Sequence, residues 1–225
     1  MSPIKPLKDI FPEAIPLPGA IVYNAIPAKV LRGPERRLAR EVVDRIERGN
    51  LVDLGSGTGY LAIEIGKLAP SLKVYGIDLS PAMVQIARKH ARTTKNVQFE
   101  HCNAAELPFK DNSIDFIVST GSLHHWKQPV KVFNECYRVL KKGKEAWIYD
   151  GCPDILEDER GKIVERYGFL RSRILRGFTV LHGFRRQEYE TKIKNILEQT
   201  KFKDNYQMEQ TDMWMKITIS KYSQS

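Results

Sequence analysis

An acidic residue followed by three glycines at every second position stands in Asp53-Leu54-Gly55-Ser56-Gly57-Thr58-Gly59-Tyr60. Glycine lets the backbone come close to a ligand and turn sharply into a helix. A bare strand-to-helix turn does not need three of them, since alternate glycines weaken a fold unless something must fit against them. Two cofactor chemistries use such a loop. Gly57 to Ala62 fits the looser dinucleotide fingerprint, with Asp78 downstream at a suitable distance. Asp53 separates the two chemistries. At a strand end two residues before the first glycine, its carboxylate would repel a pyrophosphate but attract a cationic sulfonium that also carries a protonated amino group.

A second set of reactive side chains lies in Asp115-Phe116-Ile117-Val118-Ser119-Thr120-Gly121-Ser122-Leu123-His124-His125-Trp126. His124 and His125 are candidates for a general base, because imidazole titrates near neutrality and the loop borders the expected cleft. The three cysteines, Cys102, Cys136 and Cys152, are far apart and form no Cys-x-x-Cys pair, so neither a disulfide framework nor a thiolate zinc site is supported. No metal is expected from this pattern.

Taken together, these motifs resemble the class I S-adenosylmethionine-dependent methyltransferases, in particular the methyltransferase type 11 domain of the ubiquinone and menaquinone biosynthesis branch. The resemblance covers Asn50 to about Asp150. It implies that Asp53, Gly55, Gly57 and Gly59 pack against the methionine and ribose parts of S-adenosylmethionine. Asp78, in Gly76-Ile77-Asp78-Leu79-Ser80, would hold both ribose hydroxyls, two carboxylate oxygens suiting two vicinal hydroxyls. Leu79 and Met83 would lie near the adenine, although Met83 suits ordinary core packing equally well. Asn103-Ala104-Ala105-Glu106-Leu107-Pro108-Phe109 resembles the family's acidic-Ala-Glu-x-Leu-Pro-Phe segment, with Asn103 where the acidic acceptor for the adenine amino group normally stands. Ala104 would offer backbone contact, and Ser119 should face the cofactor cleft. The His-His pair recurs in the family whatever is methylated, which favours a structural or positioning role. The product would be S-adenosylhomocysteine, and transfer would rest mainly on alignment of donor and acceptor.

Around these residues, short apolar runs alternate with helical periods, the pattern of a parallel sheet covered on both faces. Strands are expected at 50–54, 73–77, 97–102, 114–119 and 145–149. Helices are expected at 34–48, 60–68, 81–91, 129–140 and 187–200, with Glu106 in a short turn. Two final strands, 205–210 and 213–220, should form a hairpin about Thr211 and Asp212. The fold class is therefore α/β, a Rossmann-like doubly wound sheet of seven strands with a carboxyl-terminal antiparallel hairpin and cofactor across the ends of strands one, two and four. The domain reading is a proline-rich arm over 1–33 and a single domain over 34–225, with a basic, lid-like insertion at about 151–186.

No stretch approaches a membrane span, and the amino-terminal residues do not form an apolar export signal, so a cytoplasmic location is expected. The net charge of +9 comes from 36 Lys plus Arg against 27 Asp plus Glu. Six arginines (Arg166, Arg171, Arg173, Arg176, Arg185 and Arg186) fall between positions 166 and 186 with no acidic residue among them. The favoured acceptor is a small molecule under a lid made by this insertion, to which Phe169, Leu170, Ile174, Leu175 and Phe178 would give apolar surface. RNA or protein is the alternative acceptor, and a cofactor-binding regulator without turnover is a third reading. The loop after the fourth strand lacks the Asn-Pro-Pro-Tyr signature of enzymes that methylate nucleobase amino groups. The oligomeric state is not legible. Filter binding to total RNA across a salt series separates the acceptors: six phosphate contacts would give a log–log slope of about four, at ~0.7 per contact on single strands. A lid should give weak, shallow-sloped binding, and submicromolar affinity with the steep slope would defeat it.

Overall fold

The computed structural model describes residues 27–155 and 157–222. Seven strands form one sheet: β1 Gly49–Leu54, β2 Leu72–Asp78, β3 Val97–His101, β4 Ile114–Thr120, β5 Leu140–Gly151, β6 Tyr206–Thr211 and β7 Trp214–Lys221. Their order across the sheet is β3-β2-β1-β4-β5-β7-β6. The first five strands run parallel and β7 is antiparallel to both β5 and β6. The apolar runs Leu51-Val52 and Phe116-Ile117-Val118 are buried throughout, as central parallel strands covered on both faces require.

Alternation along the strands splits the core in two. Val52, Leu54, Ile117 and Ile148 join one cluster, together with Val132, Phe133 and Cys136 of α4 (Pro129–Val139). Leu51, Phe116, Val118 and Trp147 join the other, with α1 (Pro27–Arg45) and α2 (Tyr60–Leu68) over them. Between β2 and β3 stands α3 (Pro81–His90), which begins where Ser80 Oγ accepts the Met83 amide at 3.3 Å and proline fills the first turn.

Four expectations shift. The first helix begins at Pro27, seven residues early, so Pro34 is interior and the last part of the expected arm is helical. The burial of Leu38, Ala39, Val42 and Ile46 further along holds the helix on the sheet in spite of the interior proline. The rest of the arm, 1–26, lies outside the described residues. The fifth strand begins at Leu140, directly after α4, because buried Leu140 pairs with Ile114 before the register shifts. In the hairpin Thr211 pairs with Trp214, so the turn is Asp212-Met213. Asp212 takes the positive φ of 53° that a β-branched threonine would resist, and Met213 is fully buried. The last helical stretch is α7 (Arg186–Glu188), a π-helical turn over Tyr189–Ile193, and α8 (Lys194–Glu198).

The insertion folds as two helices, α5 (Glu157–Tyr167) and α6 (Phe169–His182). Ile163 of α5, Leu175 of α6 and Met213 of the hairpin turn form a third small core. Leu175 therefore belongs to the core, while Phe169, Leu170, Ile174 and Val180 stand exposed; the Phe178 side chain lies outside the described residues. The buried Asp212 carboxylate ties the pieces together, accepting from Arg166, from the Tyr167 hydroxyl at 2.9 Å and from Arg37 of α1 at 3.5 Å.

Asp212→Gly keeps the turn's backbone conformation and removes these bonds. It should cost roughly 1–3 kcal/mol, the arginines being part exposed and their bonds discounted for screening. Chemical denaturation with an unchanged midpoint would show that the carboxylate does not fasten the insertion.

Candidate functional site

Strand order reverses between β1 and β4, and ligands in open α/β sheets bind at such a switch point, beyond the carboxyl ends of the strands. Asp53, Asp78 and Ser119 all lie at these ends, and the glycine turn leads from β1 into α2. The turn is held by the neighbouring strand: the Gly55 and Ser56 amides donate to the Ile77 carbonyl at 2.8 and 3.0 Å.

The three glycines serve different ends. A side chain on Gly55 would meet Ser122 Cβ at 2.5 Å, and one on Gly59 would meet Phe99 Cζ at 2.5 Å. Both are emptied for protein atoms. Gly57, at φ 52°, has nothing within 4 Å of where a Cβ would stand, so its bare backbone borders open space. Its amide donates to Asp78 Oδ2 at 2.8 Å, while Asp78 Oδ1 accepts from the Ser80 amide at 2.8 Å. Each carboxylate oxygen retains a lone pair for a further donor.

Asp53 is 1 % exposed, and its Oδ2 has no hydrogen-bond partner among the described residues. Burial, with the charge of Asp78 adding to it, pushes the Asp53 carboxyl up to about 7, against a backbone bond from Ala62 that pulls it down. Asp78 is also raised by burial, opposed by its two amide bonds and by His101. A pair of desolvated carboxylates with an unfilled lone pair is arranged for a cation or a polyol, not for a phosphate.

The remaining expected residues are placed as follows. Met83 is buried at the start of α3, and Leu79 precedes it, half-buried. Asn103 turns its Oδ1 onto the Ala105 amide at 2.9 Å, and Ala104 is half-buried in the same turn. Ser119 is fully buried, and its hydroxyl is committed to the protein: it donates to the Leu54 carbonyl at 2.7 Å and pairs with Ser122 Oγ at 2.6 Å. That clamp fastens the β4 loop to the glycine turn.

Beyond Ser122 the loop makes one 3-10 turn, Leu123–His125. His124 donates its amide to Asp150 Oδ2 at 2.9 Å, and its Nδ1 lies 2.9 and 3.0 Å from the two Asp150 oxygens. The two imidazoles lie close and tilted, with centroids 4.0 Å apart and planes at 45°, and the ring of His182 at the end of α6 has its centroid 5.6 Å from that of His124. Burial, with His124 adding to it, drives His125 down to about 4, and burial lowers His182 as well. Asp150 and His182 were missed in the sequence. An acidic residue ending a strand marked Asp150, but nothing local announced His182.

A family model described as a methyltransferase domain matches residues 52–148. Demethylmenaquinone methyltransferase of Thermus thermophilus is 34% identical over 135 residues, 58% of this chain and 61% of the relative. The ubiquinone/menaquinone biosynthesis C-methyltransferase UbiE of a Geobacter species is 30% identical over 135 residues, 57% of each chain. The chain thus matches about six-tenths of these relatives' length. A solved structure from Methanococcus maripaludis, provisionally assigned as an S-adenosyl-L-methionine-dependent methyltransferase, has a TM-score of 0.76 at 24% identity, over 100% of this chain and 99% of that one. The likeness is to the family that the glycine and Asp78 motifs resemble, and the structure shares its fold.

The raised Asp53 carboxyl has a measurable consequence. Folded protein holds this proton where the unfolded chain has released it, so Asp53's contribution to stability is lost as pH rises from about 3.8 to about 7. Asp53→Asn should therefore stabilise the ligand-free protein by roughly 1–3 kcal/mol at pH 8 and much less at pH 5. Denaturation at both pH values tests it, and an equal effect at each would contradict the assignment.

Proposed function

We propose that this chain is an S-adenosylmethionine-dependent methyltransferase acting on a small-molecule acceptor. The observation that carries the reading is the buried Asp53 oxygen that has no hydrogen-bond partner among the described residues, close enough to Asp78 to feel its charge, with Asp78 in turn bonded to the open backbone of Gly57. The match of residues 52–148 to a methyltransferase domain supports it independently. When bound, the cofactor supplies a methyl group activated on a sulfonium, and in-line displacement hands it to a nucleophile, leaving S-adenosylhomocysteine.

On this reading the residues divide the task. Asp53 attracts the cationic amino acid end, whose charge favours the ionised carboxylate. Gly57 lets the chain lie against the ligand, with Gly55 and Gly59 shaping the turn. Asp78 takes the ribose hydroxyls on its remaining lone pairs while keeping its bonds to Gly57 and Ser80. Leu79, Met83, Asn103 and Ala104 border the adenine, and Ser119 braces the strand end beneath it. The acceptor enters under α5 and α6. The relatives' names point to a quinone-type ring, a class that suits the exposed apolar residues Phe169, Leu170 and Ile174 on the covering helix. The RNA alternative is weaker, because Arg166 is held by Asp212 and Arg186 by Gln210 within the protein. Among the described residues no helix is long and apolar enough to cross a membrane.

Calorimetry should find binding of S-adenosylmethionine and S-adenosylhomocysteine and none of NAD. Asp78→Ala should weaken S-adenosylhomocysteine by roughly 2–4 kcal/mol, the worth of two charge-assisted bonds with partial replacement by water. NAD binding without a response to S-adenosylhomocysteine would sink the proposal, and full affinity in a folded Asp78→Ala protein would move the ribose elsewhere.

A further inference from the structure

Three of the chain's five histidines meet at the edge of this cleft, and we propose that His124, His125 and His182 form a binding site for a divalent transition metal of the zinc class. Each ring offers one nitrogen, and these nitrogens all lie within 4.8 Å of one another. Zinc bound at about 2.0–2.1 Å to each imidazole needs them roughly 3.4 Å apart, so the triangle closes by side-chain rotation and a small approach of α6.

The second observation is His124 itself. Its side chain is only 4% exposed, yet its Nε2 has no hydrogen-bond partner among the described residues. Asp150 accounts for the other nitrogen. The Asp150 carboxylate is 1% exposed, and its two oxygens accept from the His124 amide at 2.9 Å and from the Gly151 amide at 2.7 Å. A carboxylate that accepts at both oxygens calls for the hydrogen on the facing Nδ1 of His124, and in a neutral ring that tautomer leaves Nε2 as a lone pair. A buried lone pair without a donor is costly in a ligand-free protein and is what a metal needs. Carboxylate, histidine and metal in sequence is the arrangement by which proteins fix the tautomer and direction of a ligating imidazole.

The donor set narrows the ion. Three imidazoles with no thiolate and no carboxylate in contact suit zinc and its neighbours, not magnesium or calcium. Three protein ligands leave a tetrahedral ion one position, as in catalytic zinc sites. On the methyltransferase reading, and only on it, that position would hold an acceptor oxygen or sulfur as its anion, next to the glycine turn on which Ser122 packs.

The fold builds the site deliberately close. Gly151, next to Asp150, and Gly183, next to His182, cross with no room for a side chain: a Cβ on Gly183 would overlap the Gly151 carbonyl oxygen. The Phe184 amide and the Tyr189 hydroxyl both donate to that carbonyl, at 3.0 and 3.1 Å, and hold the end of α6 there.

The test uses tag-free full-length protein, stripped with a chelator and titrated with Zn2+ against a chromophoric competitor, and with Co2+ for its visible absorption bands. We expect one tight equivalent of Zn2+ and the intense bands of tetrahedral Co2+. His124→Ala and His182→Ala should each weaken Zn2+ by at least tenfold, and Asp150→Asn by ~10–100-fold, the usual loss when the carboxylate behind a ligating histidine is removed. His101→Ala, outside the cluster, should bind as wild type, and circular dichroism confirms that each variant is folded. Folded wild type that binds Zn2+ no tighter than His124→Ala, or loses as much on His101→Ala, overturns the site. S-adenosylhomocysteine titrated into the same samples keeps the two proposals apart: zinc lost with that ligand still bound rejects only the metal, and the reverse rejects only the cofactor.

Discussion

The reversal of strand order between β1 and β4 is the constraint from which the rest of the molecule follows. Right-handed crossovers carry the chain outward from β1 through β2 to β3, and the next must return to the free edge of β1. Helices therefore leave β1 and β4 on opposite faces of the sheet. The residues of the candidate site collect at the carboxyl edge of the sheet. The glycine turn, Asp78, the Ser119–Ser122 clamp and the histidine loop all stand at the carboxyl end of a strand or just after it.

The charge of the site runs against that of the whole. The protein carries +9 overall, yet its crevice holds two desolvated carboxylates, Asp53 and Asp78. Among the described residues neither is neutralised by a lysine or arginine, although Arg138, Arg45 and Arg166 all find carboxylates elsewhere. Burying an unpaired carboxylate is unfavourable, and it persists where a ligand supplies what the protein withholds.

The insertion is joined to this edge at two points of different character. At the hairpin turn the join is electrostatic, with Asp212 gathering Arg37, Arg166 and Tyr167. At the end of β5 it is steric, two glycines letting backbones pass in contact. The first point holds α5 to the hairpin and α1, and the second sets where α6 ends. Between these points Ile163 and Leu175 pack on Met213, while Phe169, Leu170 and Ile174 stay exposed on α6.

How much of this was legible in the sequence depends on the range of the forces involved. Strand-helix alternation, the glycine turn and Asp78 are local features, since periodicity and glycine conformation act over a few residues, and the sheet class, the seven strands and the position of the crevice follow from them. Element ends shifted where a distant contact decided them: Leu140 joined β5 because Ile114 offered it a partner, and Met213 moved the hairpin turn by being drawn into the core of Ile163 and Leu175. The distinction between Gly57, open to the cleft, and Gly55 and Gly59, closed by Ser122 and Phe99, was likewise invisible, because the neighbours come from other strands. The histidine cluster lies furthest from sequence. His124 and His125 read as a pair, but Asp150 and His182 reach them only through the end of β5 and the Gly151–Gly183 crossing. Residue types and their local order determine which chemistry the chain can do; which side chains share a site is decided by packing between segments far apart in the chain, and no local pattern encodes it.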